Sequence, residues 1–147
     1  MFKLITFTIL LPLFVSGQNP KTGLKHYISD TTPTFVVLPK FRTFVFDKTS
    51  KNATLSSGEI TAIQMLVKQK LVKQGTEGIK YERYKMQLIP SIDKSGEKII
   101  FVNAFCSVPS NWLKEFVLVK DGGDCYYQAI INLRKRRFLS FSFNGEA

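Results

Sequence analysis

Ser56-Ser57-Gly58-Glu59-Ile60-Thr61-Ala62-Ile63-Gln64-Met65-Leu66-Val67-Lys68-Gln69-Lys70-Leu71 is the stretch on which the fold turns. Ser56 followed three residues later by Glu59 has the form of a capping box. The Ser56 hydroxyl accepts from the Glu59 amide, and the Glu59 carboxylate reaches back to the Ser56 amide. Ile60, Ile63, Val67 and Leu71 recur at steps of three and four, with Leu66 flanking, while Lys68, Lys70 and Lys73 take other positions. This spacing predicts an α-helix with one apolar face. Gly75 is placed to end it.

Downstream the period changes to two. Tyr84, Met86 and Leu88 alternate with Arg83, Lys85 and Gln87, and a turn at Asp93-Lys94-Ser95-Gly96 follows. Lys98 to Cys106 (KIIFVNAFC) is apolar on both faces, as in a central strand. A loop with Pro109 and Trp112 leads to a short strand at Phe116–Val119, then to a tight turn, Asp121-Gly122-Gly123-Asp124. Cys125–Leu133 is a further strand, Arg134–Arg137 a hairpin tip, and Phe138–Phe143 the last strand. A one-sided helix must bury its stripe, and a following sheet offers the surface. The expected fold is therefore α+β: one amphipathic helix packed on a curved, four- to five-stranded antiparallel sheet. Thirteen phenylalanines can fill its core.

Upstream, Phe35–Leu38 and Thr43–Phe46 are short apolar runs separated by Pro39, and they read as extended segments or an edge strand. Residues 18–54 form an arm that carries them, and residues 55–147 form the helix-plus-sheet domain. Residues 1–17 have the pattern of a cleavable secretory signal: Lys3, an apolar run from Leu4 to Val15, and Val15-Ser16-Gly17 at the cleavage site. The run is shorter than the roughly 20 residues of a spanning helix. Signal removal thus leaves no expected transmembrane segment, and the product is secreted or periplasmic. In that compartment Cys106 and Cys125, the only cysteines, pair as one disulfide; two free buried thiols are the alternative. The bond closes a loop of about 20 residues and is worth roughly 3 kcal/mol in the chain-entropy model. Asn52-Ala53-Thr54 is a glycosylation sequon, relevant only in a eukaryotic secretory pathway.

Several pieces of the chain look familiar together. They are Val36-Val37-Leu38-Pro39, Leu55-Ser56, Lys85 to Pro90 before Gly96-Glu97-Lys98, and Val102-Asn103-Ala104-Phe105-Cys106. Further on come Trp112 before Val117-Leu118-Val119-Lys120-Asp121-Gly122-Gly123, then Cys125-Tyr126-Tyr127, Ile131-Asn132-Leu133 and Asn144-Gly145-Glu146-Ala147. In these the chain resembles small secreted proteins of unknown function from Bacteroidota, over about 110 residues. The resemblance implies an envelope or exported protein with a cystatin-like fold and implies no activity. The protease-inhibiting cystatins carry a Gln-x-Val-x-Gly hairpin; here the corresponding stretch, Ser91–Glu97, lacks it. Pro109 and Trp112 are not adjacent, unlike the inhibitors' Pro-Trp pair. Protease inhibition is therefore not expected, since fold alone does not carry function.

The charge is +10, from 21 basic and 11 acidic residues, with one histidine. One histidine and two cysteines do not make the usual structural zinc site. His26 has no neighbouring acid or cysteine to make it a general base. Asp121 and Asp124 flank a Gly pair but supply too few oxygens for calcium, so the glycines serve a turn that positions Cys125. Glu82, Asp93, Glu97 and Glu115 occupy turn or polar positions typical of solvated acids. No catalytic, cofactor or metal site is assigned. The boldest feature is Arg134-Lys135-Arg136-Arg137, a candidate anion-binding tip with Tyr126 and Tyr127 on the strand before it. Nucleic acid is a poor partner for an exported protein, whereas an anionic envelope component suits it. The expected function is a non-enzymatic binding or accessory domain. A module pairing through a sheet edge ranks second, and a small enzyme with a sheet pocket near Asn103, Tyr127 and Gln128 ranks third.

Overall fold

The computed structural model describes residues 26–29, 32–39, 46–74, 81–107, 109–119 and 121–145. The proposed signal, Thr43–Val45 and Gly75 lie outside them. The strands are β1 (His26–Ser29), β2 (Thr32–Val37), β3 (Lys51–Asn52), β4 (Lys85–Ile92), β5 (Lys98–Phe105), β6 (Gly123–Asn132) and β7 (Arg137–Asn144). The helix α1 spans Ser57–Lys73, and a 3-10 turn covers Tyr81–Arg83.

α1 starts where the capping box places it. Glu59 N donates to Ser56 Oγ at 3.3 Å, and Ser56 N donates to Glu59 Oε2 at 2.8 Å. The buried residues of the helix are Ile60, Ile63, Val67 and Leu71. Each such side chain stabilises by about 2 kcal/mol through loss of apolar surface from water.

The fold is α+β, but the sheet is larger than expected and mixed. Its order is β1-β2-β4-β5-β6-β7, with β3 beside one end of β4. β2 runs parallel to β4, with Phe35, Val36 and Val37 opposite Met86, Gln87 and Leu88. Parallel neighbours need a long crossover, and α1 lies within the connection that makes it. β2 is also interior rather than an edge, because Pro39 falls beyond its last residue and Leu38 N still donates to Leu88 O at 2.9 Å. Pro90 sits inside β4, yet it costs no ladder bond on that side. It falls between the β2 pairing, which ends at Leu88, and the β3 pairing, which begins at Ser91.

The central strands are buried on both faces. Met86, Leu88, Ile100, Val102, Ala104, Tyr127, Ala129 and Ile131 meet α1 in one core cluster. On the opposite face Val36, Leu38, Ile89, Phe101 and Phe105 pack with Trp112 and Val117. That second layer is the segment 109–119, which is irregular; Phe116–Val119 does not form the expected strand.

A buried irregular segment must satisfy its backbone without a ladder. Gln87 and Asn103, opposite one another in register and 0% and 5% exposed, do this. Gln87 Nε2 donates to Trp112 O and Glu115 O, both at 2.6 Å. Gln87 Oε1 accepts from Val117 N at 3.0 Å and from Asn103 Nδ2 at 3.1 Å. Asn103 Nδ2 also donates to Val117 O at 2.7 Å. All four hydrogen-bonding positions of the Gln87 amide are used. The Cys106–Cys125 disulfide closes the base of the same loop, and Cys106 N donates to Cys125 O at 2.9 Å. Gly122 has no room for a Cβ, which would run into the Tyr126 ring.

Gln87→Leu should therefore cost more than its volume suggests. It orphans Val117 N and two carbonyls beneath the segment, so a loss of about 3 kcal/mol is expected in urea unfolding. Hydrogen exchange at the Val117 amide should accelerate in the same variant.

Candidate anion-binding surface

The basic tip joins β6 to β7 as a four-residue connection, Leu133 to Arg136, and Arg137 opens β7 opposite Asn132. Arg136 has a φ of 47°, a left-handed conformation that a non-glycine residue adopts at some cost. The turn is held at its root. Leu133 N donates to Lys98 O at 3.1 Å, and Lys135 N donates to Asn132 Oδ1 at 2.9 Å.

The four cations are not equivalent. Lys135 Nζ lies 2.8 Å from Glu97 Oε1 on the β4–β5 turn, and Asn132 Nδ2 donates to Glu97 Oε2 at 2.6 Å. Lys135 is thus part of a clamp between neighbouring turns, and Glu97 is not the free solvated acid expected. Arg134, Arg136 and Arg137 are exposed, and no carboxylate among the described residues forms an ion pair with them. The Asp93 carboxylate is occupied within its own turn, accepting from Ser95 N, Ser95 Oγ and Glu97 N.

Two contiguous depressions lie between this turn and α1. Glu59, Lys98, Leu133 and Arg134 line the first, and Met65, Leu66 and Gln69 the second. Gly58, Ala62 and Arg136 line both. The acid in this surface is already matched, since Lys98 Nζ stands 2.6 Å from Glu59 Oε1. Burial pushes the Glu59 carboxyl up, but the hydrogen bonds from Lys98 and Ser56 outweigh it and hold it below the usual 4.5. The surface therefore keeps the positive charge of Arg134 and Arg136.

The tyrosines do not belong to this surface. Tyr127 is fully buried in the α1 core, and its ring lies 4.9 Å from that of Tyr84. Tyr126 lies on the other face, packed with the cluster under the segment 109–119. Both pair with the far end of β5, at Ala104 and Phe105, away from the tip. Asn103 faces Val117 O, on the side of the sheet opposite Tyr127, while Gln128 Nε2 donates to Asn103 Oδ1 at 3.4 Å. Asn52 is exposed in β3, and Gly123 adopts a φ of 52° as it enters β6 before Cys125. Among the described residues no three His, Cys, Asp or Glu side chains converge as metal ligands do.

Sequence reading missed Gly58, Ala62 and Met65 as surface partners of the tip. The available signal was that positions 58, 62, 65 and 69 carry no charge although they lie opposite the core stripe. Comparison with protein-family models, curated proteins and solved structures gives no match.

Hydrogen bonds from Lys135 and Asn132 hold the Glu97 carboxyl below the usual 4.5, against the smaller effect of burial. A carboxyl lowered on folding adds stability above its unfolded value and loses it as pH falls through the lower folded one. On acidification from just above pH 4.5, the wild-type melting temperature should fall more steeply than that of Glu97→Gln. Thermal melts across that range check it.

Proposed function

We propose that this chain is an exported, non-enzymatic binding domain that engages anionic surfaces through Arg134, Arg136 and Arg137. The observation that carries the reading is the division of labour at the tip. Lys135 is committed to Glu97, while the three arginines are exposed with no carboxylate partner among the described residues. Unpaired guanidiniums on a fixed turn bind phosphate or carboxylate groups and release counterions as they do so.

Export is part of the proposal. The disulfide and the signal-like residues 1–17 support it. No helix among the described residues is long and apolar enough to cross a membrane, which is compatible with a secreted or periplasmic location. The cystatin-like likeness is also a proposal, supported by one helix lying across the antiparallel strands β4–β7.

The test is retention on phosphatidylglycerol vesicles and on heparin across a salt gradient. Retention should fall steeply with salt. Changing Arg134, Arg136 and Arg137 together to Ser should weaken it on both materials and flatten the salt dependence by roughly one unit of slope per lost contact. Lys135 is left in place, so the turn clamp survives. Equal retention by the variant would reject the tip as the binding element.

A further inference from the structure

The helix α1 has an ordinary inward face and an uncommon outward one. Its inward stripe, Ile60, Ile63, Val67 and Leu71, is buried in the core. Its outward stripe, Gly58, Ala62, Met65, Gln69 and Val72, recurs at steps of four and three and contains no charge. Met65 is 58% exposed and Val72 74%, two of the four large apolar side chains most open to water among the described residues. A solvent-facing helix stripe is normally the charged one.

Cations border this stripe. Arg136 lines the same depression as Ala62, Met65 and Leu66, and Arg134 lines its continuation at the helix start. Lys68 lies on the other flank; its pair with Glu82, at 3.6 Å and largely exposed, is worth little. Lys73 is exposed in the last turn. An uncharged stripe that exposes Met65 and Val72 and is bordered by Lys and Arg suits a helix face laid on a membrane interface. A soluble polyanion would use the cations and leave Met65 and Val72 in water.

From this we infer that the surface engaged is an anionic lipid bilayer and that α1 docks on it outward face first. Met65 and Val72 enter the headgroup–acyl boundary, and Arg134 and Arg136 meet lipid phosphates at its edge. The inference rests on the anionic-surface reading above and adds the partner and the anchoring residues. Charge complementarity selects the partner: the chain is +10 overall, and Glu59, the acid lining the first depression, is already paired with Lys98.

The experiment compares the disulfide-bonded wild type with Met65→Asp/Val72→Asp on three probes. These are phosphatidylglycerol–phosphatidylcholine vesicles, pure phosphatidylcholine vesicles and soluble heparin. The wild type should prefer the anionic vesicles and keep part of that binding at high salt. The double variant should lose about tenfold in partition to anionic vesicles, as expected for removal of two apolar anchors, and bind heparin no more weakly than two added acids explain. Met65→Ser, a single change at an exposed site, gives the same direction if the double variant does not fold. Undiminished vesicle partition in the folded variants would overturn the inference while leaving the arginine reading intact. Self-association of the wild type that the variants abolish, seen by light scattering without vesicles, would also overturn it, because the stripe would then face a second copy. Loss of binding to all probes in the arginine variant alone would leave only the electrostatic reading and reject the apolar anchors.

Discussion

An irregular segment of backbone lies buried on one face of the sheet, and two side-chain amides make that possible. Peptide groups removed from water need partners, and a segment that is not a strand cannot find them in a ladder. Gln87 and Asn103 stand in for the missing strand, meeting the backbone of Trp112, Glu115 and Val117. Because the segment is held there, Trp112 and Val117 can close the second core over Phe101 and Phe105. Because that face is closed, β4 and β5 can be apolar on both sides. The disulfide acts on the same element, limiting the freedom of a loop whose middle the amides already fix.

The same logic reaches the basic tip. The turn between β6 and β7 is rooted by Asn132 and Lys98, and Lys135 ties it to Glu97 on the next turn. A fixed turn presents its remaining cations from an ordered backbone, so their attraction for an anion is not spent on ordering the loop. The tip also leans toward α1 rather than standing alone in solvent. That juxtaposition turns a local run of charge into the border of a larger surface whose centre is the uncharged helix stripe.

Much of this was legible in residue order. The capping box and the inward stripe of α1 are local properties, with bonds spanning three or four residues, and they appear where the pattern puts them. The strands from β4 to β7 follow period-two alternation and turn residues, and the two-sided apolar run of β5 marks it as central. Two features were not legible. Pro39 made Phe35–Leu38 look like an edge, but a proline one residue past a strand does not bar its pairing, and the crossover through α1 set β2 parallel to β4. Phe116–Val119 has strand composition, yet its backbone bonds go to side chains, so no ladder forms.

Local chemistry alone determined that Ser57–Lys73 is a capped helix with a run of strands after it, that Cys106 and Cys125 are a candidate disulfide, and that Arg134–Arg137 is an arginine-rich turn. These depend on neighbours in sequence, and their signals survive without the fold. Tertiary structure alone decided which polar residues would be buried, which of the four adjacent cations would be neutralised, and which helix face would meet the turn. Those outcomes depend on pairings across long stretches of chain, such as Gln87 with Trp112 and Lys135 with Glu97, and residue type does not encode who the distant partner will be.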